Sequence, residues 1–175
     1  MLHCFVVNPV AGRCEIGVCK EIIDEICQLR GFEYTIRVSD RAGGVALHSK
    51  EATESGAGYI YAIGGDGTIN EAVNGIMNAV AKNDNLQSAP VLVPVPCGTG
   101  NDFVKTIDST GKYAEFTHIV NSEPKGSEKY KSALKNLLNA AVDSCDNVKL
   151  MDMGYADGRY FINVASVGFD AEVAY

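Results

Sequence analysis

The sequence predicts an α/β fold: a Rossmann-like, three-layer domain built on a parallel sheet, followed by the start of a truncated β-rich second domain. Apolar residues switch repeatedly along the chain between a spacing of two and a spacing of about 3.6 residues, which indicates successive βα units. The 18 glycines cluster after predicted strands and do not repeat at a fixed period. The length of 175 residues suits one domain, or one domain and a piece of another.

The composition excludes several classes of protein. Hydrophobic residues make up 46% of the chain and charged residues 21%, a balance typical of a globular domain. The net charge of −7 argues against a nucleic-acid partner, because surfaces that bind nucleic acid are basic. No apolar run is long enough for a transmembrane segment, and the N-terminus has no cationic leader. We therefore expect a cytoplasmic protein whose six cysteines are free thiols, with a disulfide framework as the alternative.

The first elements are a buried strand, an amphipathic helix and a half-exposed strand. Residues 2–7 form an apolar run that Asn8-Pro9 ends, which predicts the buried strand. Apolar side chains recur at helical spacing over residues 16–29, and Gly31 is placed to terminate that helix. Apolar and polar residues alternate over residues 32–38, as they do in a strand with one exposed face.

A second set of elements follows the same rhythm. Residues 45–55 predict a weaker helix, and residues 59–63 predict a third, apolar strand. The pattern over residues 68–80 is that of a strongly amphipathic helix. Thr68 and Glu71 have the spacing of a capping box at its start.

The third part of the chain is less regular. Residues 91–95 predict a fourth strand, although Pro94 and Pro96 are unfavourable in a central strand, so its pairing must be irregular or one-sided. Residues 106–130 are polar and irregular, which predicts a surface excursion. Residues 133–141 predict a further helix.

The pattern changes character after the α/β domain, which we place at residues 1–145. Residues 148–151 predict a strand, Asp157-Gly158 a tight hairpin turn, and residues 160–164 the returning strand. A two-stranded ribbon is marginal alone, so we assign residues 146–175 to the first hairpin of an incomplete β-rich second domain. For these 175 residues in isolation we expect self-association as a homo-oligomer or a disordered C-terminal tail. The alternative is that the hairpin only caps the α/β domain.

A glycine-rich loop is the most informative segment. Gly64, Gly65 and Gly67 surround Asp66 between a predicted strand and a predicted helix. Glycines allow phosphate oxygens to approach the backbone and permit positive φ, and the N-terminus of the next helix attracts anions. An aspartate there suits a divalent cation beside the phosphate, or the orientation of a water molecule or a ligand hydroxyl. The alternative is a tight turn with no ligand.

Other known phosphate loops fit less well. The only Gly-Lys pair, Gly111-Lys112, is followed by Tyr113 and lacks the earlier glycine of a Walker A loop. A dinucleotide fingerprint beginning at Gly65 would have Asn70 in place of its third glycine. Two further strand ends carry small or polar residues, at residues 8–12 and 96–103, and parallel strands place such ends along one crevice.

These residues resemble the diacylglycerol kinase catalytic domain family, in its bacterial lipid-kinase branch, related to sphingosine and ceramide kinases. The matching motifs keep the order of the family: NPVAG (8–12), GGDGTINEAVNGI (64–76), GTGNDF (98–103), MDMG (151–154), YFINV (160–164) and GFDA (168–171). GGDGT alone is shared with NAD kinases and, loosely, with phosphofructokinases, whose fold the resemblance also implies. GGDGTxNE followed by GTGNDF is more specific.

The resemblance implies a lipid kinase that uses ATP and Mg²⁺ to phosphorylate a lipid hydroxyl such as that of diacylglycerol, giving phosphatidic acid. The residues implied in nucleotide binding are Asn8, Gly12, Ser39, Gly64, Gly65, Asp66, Gly67, Thr68, Asn70, Glu71 and Thr99. Ser39 replaces the usual threonine. An acidic network implied in catalysis comprises Asp66, Asp102 and Asp152, of which Asp66 is the candidate metal ligand, directly or through water.

The resemblance also implies parts that this chain does not include. The general base and much of the lipid-facing cleft are expected beyond Tyr175, so we expect these residues alone to be inactive. The lipid acceptor implies transient, peripheral contact with a membrane surface. Two alternatives stay open: an NAD kinase-like enzyme and a non-catalytic nucleotide-binding module.

Overall fold

A computed structural model describes residues 1–83, 89–108 and 110–163. The strands are β1 (Leu2–Val7), β2 (Glu33–Val38), β3 (Tyr59–Gly64), β4 (Val91–Pro96), β5 (Gly154–Ala156) and β6 (Arg159–Phe161). The helices are α1 (Ile16–Arg30), α2 (Gly44–Glu54), α3 (Asp66–Asn83), α4 (Asp102–Ile107), α5 (Lys112–Ser122) and α6 (Glu128–Ser144).

The first four strands form one parallel sheet in the order β2-β1-β3-β4. Strand β1 pairs with β2 on one side and with β3 on the other, so the direction of winding reverses between β1 and β3. In open α/β sheets, ligands bind beyond the carboxyl ends of the strands at this switch point. The predicted α/β fold is confirmed, and its topology directs attention to the ends of β1 and β3.

Apolar cores on both faces of the sheet give the predicted three layers. Alternate residues of β1 and β3 point to opposite faces: Phe5 packs with α1 and α6 on one face, and Val6 packs with α2 and α3 on the other. Strand β1 is buried over nearly its whole length, as the apolar run predicts for a central parallel strand. Helix α1 ends at Gly31, which has φ 65°, as predicted.

The position of β4 in the sheet accounts for Pro94 and Pro96. Within the described residues it lies at the sheet edge and pairs only with β3. Proline has no N–H to donate, and an edge strand requires hydrogen bonds on one side only. The one-sided pairing predicted from Pro94 and Pro96 is confirmed.

The prediction of an irregular surface excursion over residues 106–130 is wrong. Helix α5 occupies much of this segment and buries Thr117 and Val120 against the rest of the domain. Its apolar residues do recur at helical spacing, but the polar, glycine-containing stretches on both sides dominate the pattern. Helix α5 packs against α6 and, through Thr117, reaches the end of β4.

The hairpin is present, but its first strand lies later than predicted. Residues 148–151 form no strand; Leu150 is fully exposed, and β5 instead pairs Gly154 with Phe161. The turn at Asp157-Gly158 is confirmed, with φ 46° and 78°, the left-handed pair of a type I′ turn. The GFDA motif at residues 168–171 and the end of the returning strand at Val164 lie outside the described residues.

Candidate functional site

The loops after β1 and β3 meet at the switch point of the sheet. The Asn8 N–H donates to the carbonyl of Ile63 (3.0 Å), and Asn8 Nδ2 donates to Thr68 Oγ1 (3.0 Å). The capping-box prediction is wrong, because α3 begins at Asp66 and Gly65 provides its first acceptor, bound by the N–H of Ile69 (3.1 Å). Thr68 therefore lies in the first turn of α3, where its buried hydroxyl connects two loops.

The three glycines of this loop have three different environments, and none of them has positive φ. An ideal Cβ on Gly64 would lie 2.2 Å from Thr68 Oγ1, and one on Gly65 would lie 3.3 Å from the Cα of Gly98. Gly67 is exposed, and a Cβ there would meet no protein atom within 4 Å. The packing of the protein thus accounts for Gly64 and Gly65, while Gly67 faces open space in the first turn of α3.

The loop after β1 is held against the loop after β4. Gly12 has φ 79°, and an ideal Cβ on it would lie 1.6 Å from the carbonyl oxygen of Cys97. The same carbonyl accepts a hydrogen bond from the N–H of Arg13 (3.0 Å). From α6, the hydroxyl of Tyr130 donates to the carbonyl of Arg13 (2.7 Å) and accepts from the N–H of Glu15 (2.8 Å). Only glycine fits at position 12.

Three buried thiols lie beneath this contact. Hydrogen bonds from the thiols of Cys19 and Cys97 lower the pKa of Cys14, and the same bonds together with burial raise the pKa of the Cys19 and Cys97 thiols. All six cysteines of the chain are buried and free, as predicted. The three thiols belong to the apolar core on the α1 and α6 face of the sheet, whereas α3 packs on the other face.

Asp66 connects the loop after β3 to helix α4. Its carboxylate oxygens accept hydrogen bonds from the N–H groups of Asp102 (3.1 Å) and Phe103 (2.9 Å), so it caps α4. An ideal Cβ on Gly100 would lie 3.1 Å from Asp66 Oδ2 and 3.6 Å from Asp102 Oδ2. The two carboxylates therefore face one space that glycine leaves open, and among the described residues the carboxylate of Asp102 pairs only with exposed Lys105 (2.8 Å).

This acidic pair fits one kind of metal site. Within residues 1–83, 89–108 and 110–163, no three His, Cys, Asp or Glu side chains are grouped to hold a metal by themselves. Mg²⁺ usually keeps several waters and binds through one or two carboxylates together with substrate phosphates. Asp66 and Asp102 fit that arrangement, and they do not form an all-protein metal cage.

Side chains that sequence reasoning missed support the loop after β4. Asn101 has φ 55°, and its amide both accepts from the N–H of Gly98 (3.0 Å) and donates to the carbonyl of Gly98 (2.6 Å). From α5, Asn121 Nδ2 donates to the carbonyl of Gly98 (3.1 Å), and the hydroxyl of Thr117 donates to the carbonyl of Pro96 (3.2 Å). Asn101 lies inside the GTGNDF motif, but no spacing rule pointed to Thr117 or Asn121.

The remaining predicted residues are placed less uniformly. Ser39 follows β2 at the same edge of the sheet, but its buried hydroxyl donates to the carbonyl of Arg41 (2.9 Å). Thr99 is exposed, whereas Asn70 and Glu71 are half-buried on α3. Asp152 is exposed in the segment before β5, and in the described part of the chain no hydrogen bond or ion pair joins it to Asp66 or Asp102. No helix in the described ranges has the length and apolar character needed to cross a membrane.

Fold and site together define an α/β domain with three polar loops at the switch point of a parallel sheet. A diacylglycerol kinase from Bacillus anthracis strain Sterne has this fold: its crystal structure superimposes with a TM-score of 0.59 at 24% identity, covering 92% of this chain and 45% of that one. The family model of the diacylglycerol kinase catalytic domain matches residues 3–149. The chain belongs to the diacylglycerol kinase catalytic domain family.

Curated relatives agree with this assignment. A diacylglycerol kinase from Bacillus subtilis strain 168 is 29% identical over 174 residues, which are 97% of this chain and 46% of that protein. A diacylglycerol kinase from Staphylococcus aureus strain bovine RF122 / ET3-1 is 28% identical over 172 residues, 97% of this chain and 44% of that protein. The chain spans about half the length of these relatives.

Proposed function

We propose that this chain is the nucleotide-binding part of a lipid kinase that transfers the γ-phosphoryl group of ATP to the hydroxyl of diacylglycerol, giving phosphatidic acid. The family supports the reaction type. The single observation that carries the proposal is the open space at Gly67. The packing of the protein does not require a glycine at this position, which lies in the first turn of the 18-residue helix α3. Residues 1–145 would form the nucleotide-binding domain and residues 146–175 the first hairpin of a β-rich second domain.

The phosphates of ATP would lie over the first turn of α3. The first N–H groups of a helix have no acceptor within it, and the positive end of the helix dipole favours an anion there. A phosphate oxygen can approach Gly67 without meeting a side chain. The residues proposed to contact the nucleotide are Asn8, Gly12, Ser39, Gly64, Gly65, Asp66, Gly67, Thr68, Asn70, Glu71 and Thr99.

Asp66 and Asp102 would hold Mg²⁺ beside those phosphates, directly or through water, and Asp152 would complete the acidic network. When bound, Mg²⁺ would neutralise negative charge on the phosphates during transfer. The carboxylate of Asp66 is held by two backbone N–H groups, so it is positioned before any ligand binds. Asp66 would thus connect the phosphate loop, the metal and the loop after β4.

The acceptor side of the reaction would come from elsewhere in the full-length protein. Phosphoryl transfer needs an oriented nucleophile as well as a bound nucleotide. We propose that the general base and the lipid cleft lie outside these residues, so that they alone bind nucleotide without catalysing transfer. The enzyme would be cytoplasmic and would visit the membrane surface to reach its lipid, and residues 1–175 taken alone would self-associate as a homo-oligomer.

The test is an acceptor assay with the full-length protein. The protein is incubated with radiolabelled ATP, Mg²⁺ and mixed micelles containing diacylglycerol, and in parallel with NAD⁺ as acceptor. We expect labelled phosphatidic acid and no labelled NADP⁺. Labelled NADP⁺ would instead support the NAD kinase-like alternative, and ATP binding without transfer to either acceptor would support the non-catalytic module.

A matched pair of variants connects the activity to the site. Gly67→Val places a branched side chain in the open first turn of α3, whereas Ala81→Val adds the same side chain at an exposed position near the other end of that helix. We expect only Gly67→Val to abolish ATP binding measured by calorimetry. Residues 1–175 alone are assayed beside the full-length protein, and phosphatidic acid produced at a similar rate would contradict a base outside this chain.

A further inference from the structure

The side-chain amide of Asn74 binds strand β6 as a neighbouring strand would. Asn74 Nδ2 donates to the carbonyl of Tyr160 (2.9 Å), and the N–H of Tyr160 donates to Asn74 Oδ1 (3.0 Å). The same Nδ2 also donates to the carbonyl of Asn70 (2.9 Å), one turn earlier in α3. One donated and one accepted hydrogen bond of this side chain thus join the hairpin to the helix, and the other donated bond holds the side chain against α3 itself.

In the part of the chain that the structure describes, Asn74 is the partner of the backbone groups that β6 presents at its outer edge. Tyr160 is opposite Tyr155 in the antiparallel pair, and the N–H and C=O of one residue in such a pair point to the same side. Both groups of Tyr160 bind Asn74, so they point away from β5. A ribbon of two three-residue strands has little stability of its own, so these two hydrogen bonds fix where it lies.

The helix that receives the hairpin is also the helix that begins at the candidate phosphate site. Asn74 lies eight residues after Asp66, which is about 12 Å along a helix that rises 1.5 Å per residue. The carbonyl that Asn74 also binds belongs to Asn70, a residue proposed to contact the nucleotide. Ile162, just after β6, packs against the apolar core that α3 shares with the sheet. The hairpin is therefore placed relative to α3 by polar and apolar contacts together.

We propose that Asn74 is a positioning residue that sets the β-rich second domain in register with the phosphate-binding end of α3. This inference rests on the proposed function, because its catalytic consequence requires phosphoryl transfer. We assign Asn74 no contact of its own with the nucleotide or the acceptor, because its hydrogen bonds go to Asn70 and Tyr160. Its loss would leave ATP binding intact and misplace the acceptor side, and a misplacement of about 1 Å lowers a rate by roughly a hundredfold.

The experiment compares three variants of the full-length protein. Asn74→Ala removes all three hydrogen bonds, while Asn74→Asp keeps the acceptor for the N–H of Tyr160 and loses both donated bonds. Asn139→Ala is the matched control, because Asn139 on α6 also donates to a carbonyl four residues earlier, that of Lys135 (3.0 Å), but does not contact the hairpin. Hydrogen exchange of the Tyr160 amide, the affinity for Mg-ATP and kcat with diacylglycerol are measured for each.

We expect Asn74→Ala to speed exchange of the Tyr160 amide by about tenfold or more, because its acceptor is lost. We expect Asn74→Asp to retain much of that protection. Both variants should lower kcat by about 10- to 100-fold with little change in ATP affinity, and Asn139→Ala should change none of the three.

Unchanged exchange at Tyr160 in Asn74→Ala would overturn the proposal, as would a loss of kcat that parallels a loss of ATP affinity. Thermal melting of each variant identifies a failure of the whole fold, and in that case Asn74→Asp decides. A wild-type protein that exchanges as expected but never phosphorylates diacylglycerol would overturn the proposed function and the catalytic consequence, while the exchange result would still establish the joint between α3 and the hairpin.

Discussion

The backbones of Gly65 and Gly98 are in direct contact, and an ideal Cβ on Gly98 would lie 2.5 Å from the Cα of Gly65. One glycine follows β3 and the other follows β4, so the contact holds two neighbouring loops together. The same Cβ would lie 2.9 Å from Asn101 Oδ1, which binds the N–H of Gly98. Position 98 therefore has no room for a side chain.

Gly98→Ala should destabilise the protein. The added methyl group must push apart two backbone segments that hydrogen bonds hold on both sides, and such overpacking typically costs about 1–3 kcal/mol. The measurement is the free energy of unfolding from urea titration. Gly98→Ala with wild-type stability would mean that the two loops separate easily.

Gly67→Ala should act in the opposite direction on stability. A methyl group at this position meets no protein atom, and alanine favours a helix by up to about 1 kcal/mol over glycine. We expect an equal or higher free energy of unfolding together with weaker binding of Mg-ATP, measured by calorimetry on the same sample. Undiminished affinity would show that the open space above Gly67 does not hold phosphate.

Asp66→Asn and Asp102→Asn should separate the structural role of the acidic pair from its chemical role. Asp66→Asn removes one of the two oxygen acceptors that cap α4, so we expect the free energy of unfolding to fall by about 1–2 kcal/mol. Asp102→Asn removes a surface ion pair with Lys105, which is worth less than about 1 kcal/mol. Steady-state kinetics of Asp66→Asn should show kcat reduced by about a hundred- to a thousandfold. Equal losses in ATP affinity and kcat would assign Asp66 to ground-state binding.

Asp108 should make stability depend on acid pH. Burial alone would raise the pKa of its carboxyl, but hydrogen bonds from Thr110, Tyr113 and Gly111 at the start of α5 outweigh burial and lower the pKa below the ordinary 3.8. A lowered folded pKa stabilises the protein above the ordinary value, and this stabilisation is lost as pH falls below 3.8. Urea midpoints of wild type and Asp108→Asn should differ at pH 7 and converge below pH of about 4. A difference that is constant with pH would contradict this.

The cysteines should be unreactive in the folded protein. All six thiols of residues 1–175 are buried and free, so brief treatment with iodoacetamide should leave them unmodified, and treatment in denaturant without reductant should modify all six. Peptide mapping by mass spectrometry gives the result for each position. A cysteine that resists alkylation in denaturant would indicate a disulfide.

The sequence predicted most of the sheet because central parallel strands are nearly continuous apolar runs, as β1 and β3 are. It misplaced β5 because residues 148–151 are as apolar as a strand but have no partner strand among the described residues. Helix α5 was missed although its spacing was helical. The sequence pattern alone does not show that a helix between two polar segments packs against the domain, as α5 does.

The candidate site was predictable only where its residues are close in sequence. Asn8, Gly67 and Asp66 stand in motifs that follow strand ends. Asn121 binds the carbonyl of Gly98, 23 positions away, and Asn74 binds that of Tyr160, 86 positions away. Such contacts depend on how the elements pack, so no local spacing in the sequence predicts them. Asp66 was predicted as a metal ligand, and its hydrogen bonds to α4 were not foreseen.

The two hydrogen bonds between Tyr130 and the loop after β1 affect the order in which the domain can fold during synthesis. The loop residues Arg13 and Glu15 leave the ribosome well over a hundred residues before Tyr130, the partner that fixes them. At about 5–20 residues per second, that delay is roughly 6–23 seconds. Strand β1 and helix α1 can form early, but the loop between them lacks its hydrogen-bond partner until α6 has been synthesised. A nascent domain would therefore acquire its sheet before the loop after β1 takes its final position.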